Sequence, residues 1–303
     1  MSAPATRRFG NYDILSLMGK GGMAEVYRAR VVEGPRAGLL VALKRLSPAL
    51  AKDAAAVEAF ATEADLTKLL DHPNVVKVYE VGVIDDVYFM VMELIEGRDV
   101  GQVLRRCQQR GIAWPIDFAV YLAKVLLDAL GYAHQAKSPS GAPLGIVHCD
   151  VSPSNLFVSR TGDIKLGDFG VARARSGMAS DRGVVGKPYY LSPEVLDGQV
   201  TPAADLWAAT VSLYELLTLE RPFTGATPAE VFTAIRGRLH TSVRMLRPEV
   251  SEALEEIVNK GLAIDPADRF QTAAQMSEAL TPHFDERVGT PLAISAMVRG
   301  LFG

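Results

Sequence analysis

The chain has 303 residues, 49% hydrophobic and 22% charged, which places it among ordinary globular proteins with enough apolar material for one or two domains. A net charge of −3 gives no basic footprint, so nucleic acid is not expected as a partner. Cys107 and Cys149 are too few and too far apart for a disulfide or metal framework, no run approaches the roughly 18 apolar residues of a spanning helix, and the start lacks the apolar stretch of a signal peptide. The reading is therefore a cytoplasmic protein with no membrane segment in this chain, opening on a disordered arm at 1–8.

From Tyr12 the pattern is strand, glycine turn, strand: YDILSLM at 12–18, GKGGMA at 19–24, EVYRAR at 25–30. Glycines at such a tip let backbone N–H groups approach phosphate oxygens with no Cβ in the way. LLVALKR at 39–45 is an apolar strand carrying Lys44. Residues 53–70 place Val57, Phe60, Ala61, Ala64 and Leu66 at helical period, with Glu63 on the same helix. A proline turn at His72-Pro73 opens a strand, Asp85-Asp86 tips a hairpin, and VYFMVM at 87–92 ends at Glu93-Leu94-Ile95-Glu96-Gly97, where a glycine loosens the chain.

The texture then becomes helical, with apolar periodicity over Val100–Arg110 and over 115–136, the second opening on a proline. SPSGAPLG at 138–145 reads as a surface loop. The stretch IVHCDVSPSNLFVSRTGDIKLGDFG at 146–170 holds Asp150 and Asn155 on one loop and Asp168 after an apolar-polar alternation, so three groups can meet around one phosphate. A loop rich in Gly, Ser and Arg follows at 172–186, then Lys187, Ser192-Pro193-Glu194, Asp205-Leu206-Trp207 and Asp265-Pro266-Ala267-Asp268-Arg269.

The stretch at 146–170 resembles the catalytic loop and DFG segment of the protein kinase family, H-R-D-L-x-x-x-N followed by D-F-G. Residues 19–26 are similar to that family's G-x-G-x-x-G-x-V, with Ala24 at the third glycine, and 41–44 to its V-A-I-K. In order along most of the chain, these motifs identify it as a bacterial, eukaryotic-like Ser/Thr kinase of the kind found in myxobacteria. The resemblance implies an α+β, bilobal protein kinase fold over 9–282: a small antiparallel-sheet N-lobe with one main helix at 9–92, a hinge at 93–98 and a mainly helical C-lobe at 99–282. Residues 283–303 fall outside it as a tail or the start of a linker.

ATP and Mg²⁺ follow as cofactors, and a protein as substrate. By the same resemblance Lys44 holds the phosphates and Glu63 holds Lys44, Asp150 accepts the substrate hydroxyl proton, and Asn155 and Asp168 ligate metal. Nucleotide contacts fall on Gly19, Gly21, Gly22, Val26, Ala42, Met92, the backbones of Glu93 and Ile95, Asp99 and Phe157. Glu194 and Arg269 form a buried ion pair, and Asp205 anchors the catalytic-loop backbone.

Within the catalytic stretch two positions depart from the family pattern. Cys149 stands where an arginine reads a phosphate on the activation loop, so loop phosphorylation is expected to matter less, and Ser176 and Ser180 are the only acceptors at 171–186. Cys149 is read as a buried, inert thiol. Ser152 stands where Ser/Thr kinases carry a phosphate-contacting lysine, and Lys187 stands where they carry a threonine; one cation is lost and one gained, so Lys187 is counted among the catalytic residues. Thr67 falls in a spine of otherwise apolar side chains with Val78, His148 and Phe169, where a buried hydroxyl would loosen the helix and leave packing for a regulatory protein or a second copy to complete. The alternative to an active enzyme is a pseudokinase acting as a nucleotide-binding scaffold, for which Ala24, Cys149 and Ser152 speak.

Overall fold

The computed structural model describes residues 7–170, 179–180, 183–184 and 187–303. The expected arm over residues 1–6 and the phosphate acceptor Ser176 lie outside them. The chain divides into two compact units, one of residues 1–72 and 76–95, the other of 73–75 and 96–303.

The first unit is a six-stranded antiparallel sheet with one long helix, α1 (Ala54–Lys68). Its strands are β1 (Arg7–Phe9), β2 (Tyr12–Lys20), β3 (Ala24–Val31), β4 (Leu40–Leu46), β5 (Val78–Ile84) and β6 (Val87–Glu93), in the order β1-β2-β3-β4-β6-β5. Arg7 and Arg8, read as the end of a disordered arm, instead pair with Ile14 and Asp13. One sheet face is a closed apolar core built from Phe9, Tyr12, Ala29, Val31, Val41, Leu43, Phe89 and Val91. Residues one position out of phase must face the other side, and α1 packs there against β5 and β6. Asp53 starts α1 by accepting the N–H groups of Ala55 and Ala56 at 3.1 and 3.2 Å. The Thr67 hydroxyl donates to the Glu63 carbonyl one turn back at 2.7 Å. Its burial therefore leaves no unpaired polar group, and the loosening expected of it has no basis in an orphaned hydroxyl.

The second unit carries a three-stranded sheet, β7 (Gly97–Asp99), β8 (Leu156–Ser159) and β9 (Ile164–Leu166), beside the helices α2 (Val100–Arg110) and α3 (Ile116–Gln135). The pairs Ala179–Ser180 and Gly183–Val184 form a two-residue ladder, β10 and β11. A one-turn helix α4 (Pro193–Leu196) precedes α5 (Pro202–Thr218), which is buried on nearly all sides, as a helix apolar all round must be. Helix α6 (Pro228–Arg236) packs on α4, α7 (Val243–Leu246) and α8 (Glu252–Gly261) pack on α5 as α3 does, and α9 (Ala273–Leu280) packs on α3 and α8. Among the described residues no helix is long and apolar enough to cross a membrane.

The stretch read as a tail or linker, 283–303, contains a packed helix, α10 (Pro291–Phe302). Thr290 caps it by accepting the Ala293 N–H at 3.1 Å, with proline at its first turn. Ile294, Ser295, Val298 and Leu301 are buried in it. Two α2 arginines meet its carboxy-terminal carbonyls, Arg106 donating to Leu301 at 3.0 Å and Arg110 to Gly300 at 3.1 Å. Ser295 and Arg299 both donate to the Arg160 carbonyl in the β8–β9 turn. Gly162 in that turn has φ +96°, and a Cβ there would strike the Pro291 carbonyl, so only glycine lets α10 close down.

Candidate functional site

In the first unit, strand register assembles the predicted nucleotide contacts. Val26 lies opposite Lys44, and Ala42 opposite Met92. Directly opposed antiparallel residues point to the same side, so these four share the sheet face that α1 covers in part. Lys44 Nζ donates to Glu63 Oε1 at 2.7 Å, and both side chains are close to nine-tenths buried. A lysine tied to a helix carboxylate is held in one direction instead of sweeping solvent.

Gly19 lies opposite Val26 one pair before the end of the β2–β3 ladder, and Gly21 and Gly22 form the exposed tip. A Cβ added at Gly19 or Gly22 would meet nothing within 4 Å, and at Gly21 only the Ala24 carbonyl at 3.5 Å. Nothing in the protein's own packing requires glycine there, which fits a cradle kept open for a ligand's phosphates. Glu93 donates its backbone N–H to Lys77 at 2.8 Å, and Ile95 ends this unit.

In the second unit the catalytic loop is drawn together by its own polar groups. Asn155 Nδ2 donates to the Asp150 carbonyl at 2.8 Å and to Asp150 Oδ2 at 3.0 Å. With both amide hydrogens committed to Asp150, Asn155 presents Oδ1 outward. Asp168 is bracketed: Gly167 N–H donates to the Asn155 carbonyl at 2.9 Å and Gly170 N–H to the His148 carbonyl at 2.8 Å. The His148 ring packs 4.4 Å from that of Phe169 and bonds the Gly167 carbonyl at 3.1 Å. Asp168 is thus stapled beside Asn155 in a positive-φ conformation, φ +55°, a costly geometry that the bonds on either side maintain.

Asp205 on α5 holds the loop from beneath. Its Oδ2 accepts the His148 N–H at 2.7 Å and His134 Nε2 at 2.8 Å, and its Oδ1 accepts the Cys149 N–H at 3.0 Å. These bonds retain Cys149 at φ +64°. Cys149 is half-buried, not the fully buried thiol expected, and its Sγ donates to the Val147 carbonyl at 3.4 Å. His134 was missed by the sequence reading; its position in the last turn of α3, just before the catalytic stretch, was the available signal.

Lys187 Nζ lies 2.7 Å from Ser152 Oγ, 3.2 Å from Asn155 Oδ1 and 3.5 Å from Asp150 Oδ2. Asp99 Oδ1 accepts the Gln102 N–H at 2.8 Å as the N-cap of α2, and burial raises its carboxyl above the usual range. Asp99 also pairs with Phe157 across β7 and β8.

His148 is fully buried and neutral, because burial outweighs the opposite pull of Asp205 and Asp150. The Asp150 N–H donates to its Nδ1 at 3.2 Å, which places the ring proton on Nε2. The unfolded chain takes up a proton near pH of about 6.5 that the folded protein refuses. Stability from this group is complete above that pH and is lost as the pH falls through it toward the depressed folded value. The melting temperature is expected to drop from about pH 7.5 to 5.5, and the drop to flatten in His148→Asn; an equal slope in both proteins would remove His148 as its source.

The donor set fits a hard divalent cation. Among the described residues there is no cluster of three or more His, Cys, Asp and Glu placed for a metal. One amide oxygen and one carboxylate suit an ion that keeps waters and takes the rest of its oxygens from substrate phosphates.

Comparison with known proteins places these motifs in context. The family description "Protein kinase domain" matches residues 12–281. The tyrosine-protein kinase MasK of Myxococcus xanthus is 36% identical over 309 residues, covering 99% of this chain and 47% of that protein. The serine/threonine-protein kinase PrkC of Bacillus subtilis is 34% identical over 279 residues, covering 91% of this chain and 41% of that protein. The chain thus spans less than half the length of either relative. The solved kinase domain of Mycobacterium tuberculosis PknI superposes with a TM-score of 0.70 at 25% identity, covering 93% of this chain and 99% of that one.

Proposed function

The chain belongs to the protein kinase domain family, and from that premise we propose that it transfers the γ-phosphoryl group of ATP to Ser/Thr hydroxyls of proteins in bacterial signalling. The observation that carries this reading is the double hydrogen bond from Asn155 to Asp150, which fixes a carboxylate and an outward amide oxygen on one loop. Asp150 orients the acceptor hydroxyl and takes its proton. The bond from that oxygen to phosphorus forms as the bond from phosphorus to the β-phosphate oxygen breaks, ADP leaves, and the proton passes from Asp150 to solvent.

Asn155 and Asp168 would hold Mg²⁺, which neutralises charge on the phosphates when bound. Lys44, aimed by Glu63, positions the phosphates from the first unit. Val26, Ala42 and Met92 offer an apolar face to the base, and on the family pattern Asp99 and Phe157 would also contact the nucleotide. Residues 9–282 make up the catalytic domain in this reading. A cytoplasmic setting suits two cysteines that are both free thiols, and the natural partners are a protein substrate and either a regulatory protein or a second copy.

One relative is named a tyrosine-protein kinase and matches nearly the whole chain. That favours a second reading in which the acceptor range extends to tyrosine. Labelled γ-phosphate transfer from Mg–ATP to the protein itself and to a generic substrate tests the proposal, with phosphoamino-acid analysis separating the two readings. Lys44→Met is expected to lower the rate about 10²-fold or more, since an unheld phosphate is misplaced. Nucleotide binding without transfer in the unaltered protein, with an activator excluded, would favour the pseudokinase scaffold.

A further inference from the structure

Lys187 is seated as part of the transfer centre and not as a surface lysine. Its ammonium can only donate, so Ser152 Oγ must accept at 2.7 Å, and Ser152 Oγ also shares a hydrogen bond with Ser154 Oγ at 3.2 Å. Ser152 is 3% exposed, a small side chain at the bottom of the seat. Two further contacts bring the same nitrogen to Asn155 Oδ1 and to within 3.5 Å of the Asp150 carboxylate.

The backbone beneath Lys187 is fixed as well. Pro188 restricts the preceding residue to an extended conformation, and Lys187 adopts φ −97° and ψ 100°. The turn Pro188–Tyr190 closes through the Tyr190 N–H to the Lys187 carbonyl at 3.1 Å. Tyr190 is buried, and its hydroxyl donates to Glu215 on α5. The lysine therefore projects from an anchored turn, with its side chain two-thirds buried.

We propose that Lys187 is a catalytic cation that contacts the γ-phosphoryl group, delivered from the turn at 187–190 and seated on Ser152. This rests on the kinase reading above and deepens it. Asn155 Oδ1, with two lone pairs, would be one oxygen holding a divalent cation while still facing the ammonium. Held by Ser152 and Asp150 at the same place, the ammonium would lie within reach of the phosphoryl oxygens and offset negative charge during transfer. A lysine at position 152 would fill the seat itself, so Ser152 and Lys187 form a matched pair in which the small residue makes room for the distant cation.

The test compares Mg–ADP with a non-hydrolysable Mg–ATP analogue, reading dissociation constants by displacement of a fluorescent nucleotide from the full chain. Lys187→Met is expected to weaken the ATP analogue about tenfold and leave ADP within about twofold, because the lost charge-assisted contact is to the γ-phosphate alone. Adding Ser152→Lys to Lys187→Met is expected to restore discrimination between the two nucleotides and part of the transfer rate. Equal losses for both nucleotides with no recovery on adding Ser152→Lys would mark Lys187 as structural, and unchanged constants for both would mark it as a solvated lysine; either result overturns the proposal. If the unaltered protein bound neither nucleotide, the kinase reading itself would fall, an outcome distinct from failure of the Lys187 assignment alone.

Discussion

Arg269→Met is expected to cost about 3–5 kcal/mol of stability and to lower the melting temperature by about 10 °C. Arg269 and Glu194 have side chains only 1% and 8% exposed, and they meet in a two-pronged pair with both N–O distances at 2.8 Å. The remaining donors are also placed, Nε on the Ala263 carbonyl at 2.7 Å and Nη2 on the Ile264 carbonyl at 2.9 Å. The guanidinium lies 4.7 Å from the centre of the Trp207 ring. Methionine keeps much of the stem but leaves the Glu194 carboxylate buried without its counter-charge and strips those carbonyls of a donor. The pair with Glu194→Leu is expected to recover part of the loss, because an apolar pair carries no stranded charge, though the carbonyls stay unpaired. Urea unfolding of the two single variants and the double variant measures the coupling; additive losses would show that the pair acts as two independent charges.

That ion pair was legible in the sequence as two motifs in order, and so was most of the scaffold. Helix α2 runs over the periodic stretch Val100–Arg110 as read, with Asp99 as its cap and Gly111 in the left-handed region at φ +63° just past Arg110. The apolar run at 87–92 and the Lys44 strand likewise translated directly into β6 and β4. What was not legible is long-range geometry. Thr290 and Pro291 carry an ordinary helix-start signal, yet the reasons α10 packs are the Arg160 carbonyl, Gly162 and two α2 arginines, all far away in sequence. Thr67 read as a misplaced hydroxyl because side-chain type alone does not reveal a bond to the carbonyl one turn back. At the site, residue identities were visible, but the commitment of the Asn155 amide to Asp150 and the reach of Lys187 across 35 positions to Ser152 arise only when the loop is folded.

Asp150→Asn is expected to reduce phosphoryl transfer by about 10²–10⁴-fold while nucleotide binding persists. The carboxylate is the only feature the substitution removes; volume, planarity and one carbonyl-type oxygen remain. Asp150 Oδ2 accepts from Asn155 Nδ2 at 3.0 Å and lies 3.5 Å from Lys187 Nζ. An asparagine can keep both neighbours by turning its oxygen toward them, so the loop has no reason to rearrange, and the change in stability is expected to stay within about 1 kcal/mol. The amide nitrogen that replaces the second oxygen cannot accept a proton. The acceptor hydroxyl then loses both its orientation and its proton sink, with the main-chain bonds around Asp168 untouched. Single-turnover transfer, with melting temperature and nucleotide affinity measured on the same preparation, separates this from misfolding. A variant that transfers within a few-fold of the unaltered protein would remove Asp150 as the proton acceptor. A variant that loses affinity and stability together would instead make Asp150 a structural clasp of the loop.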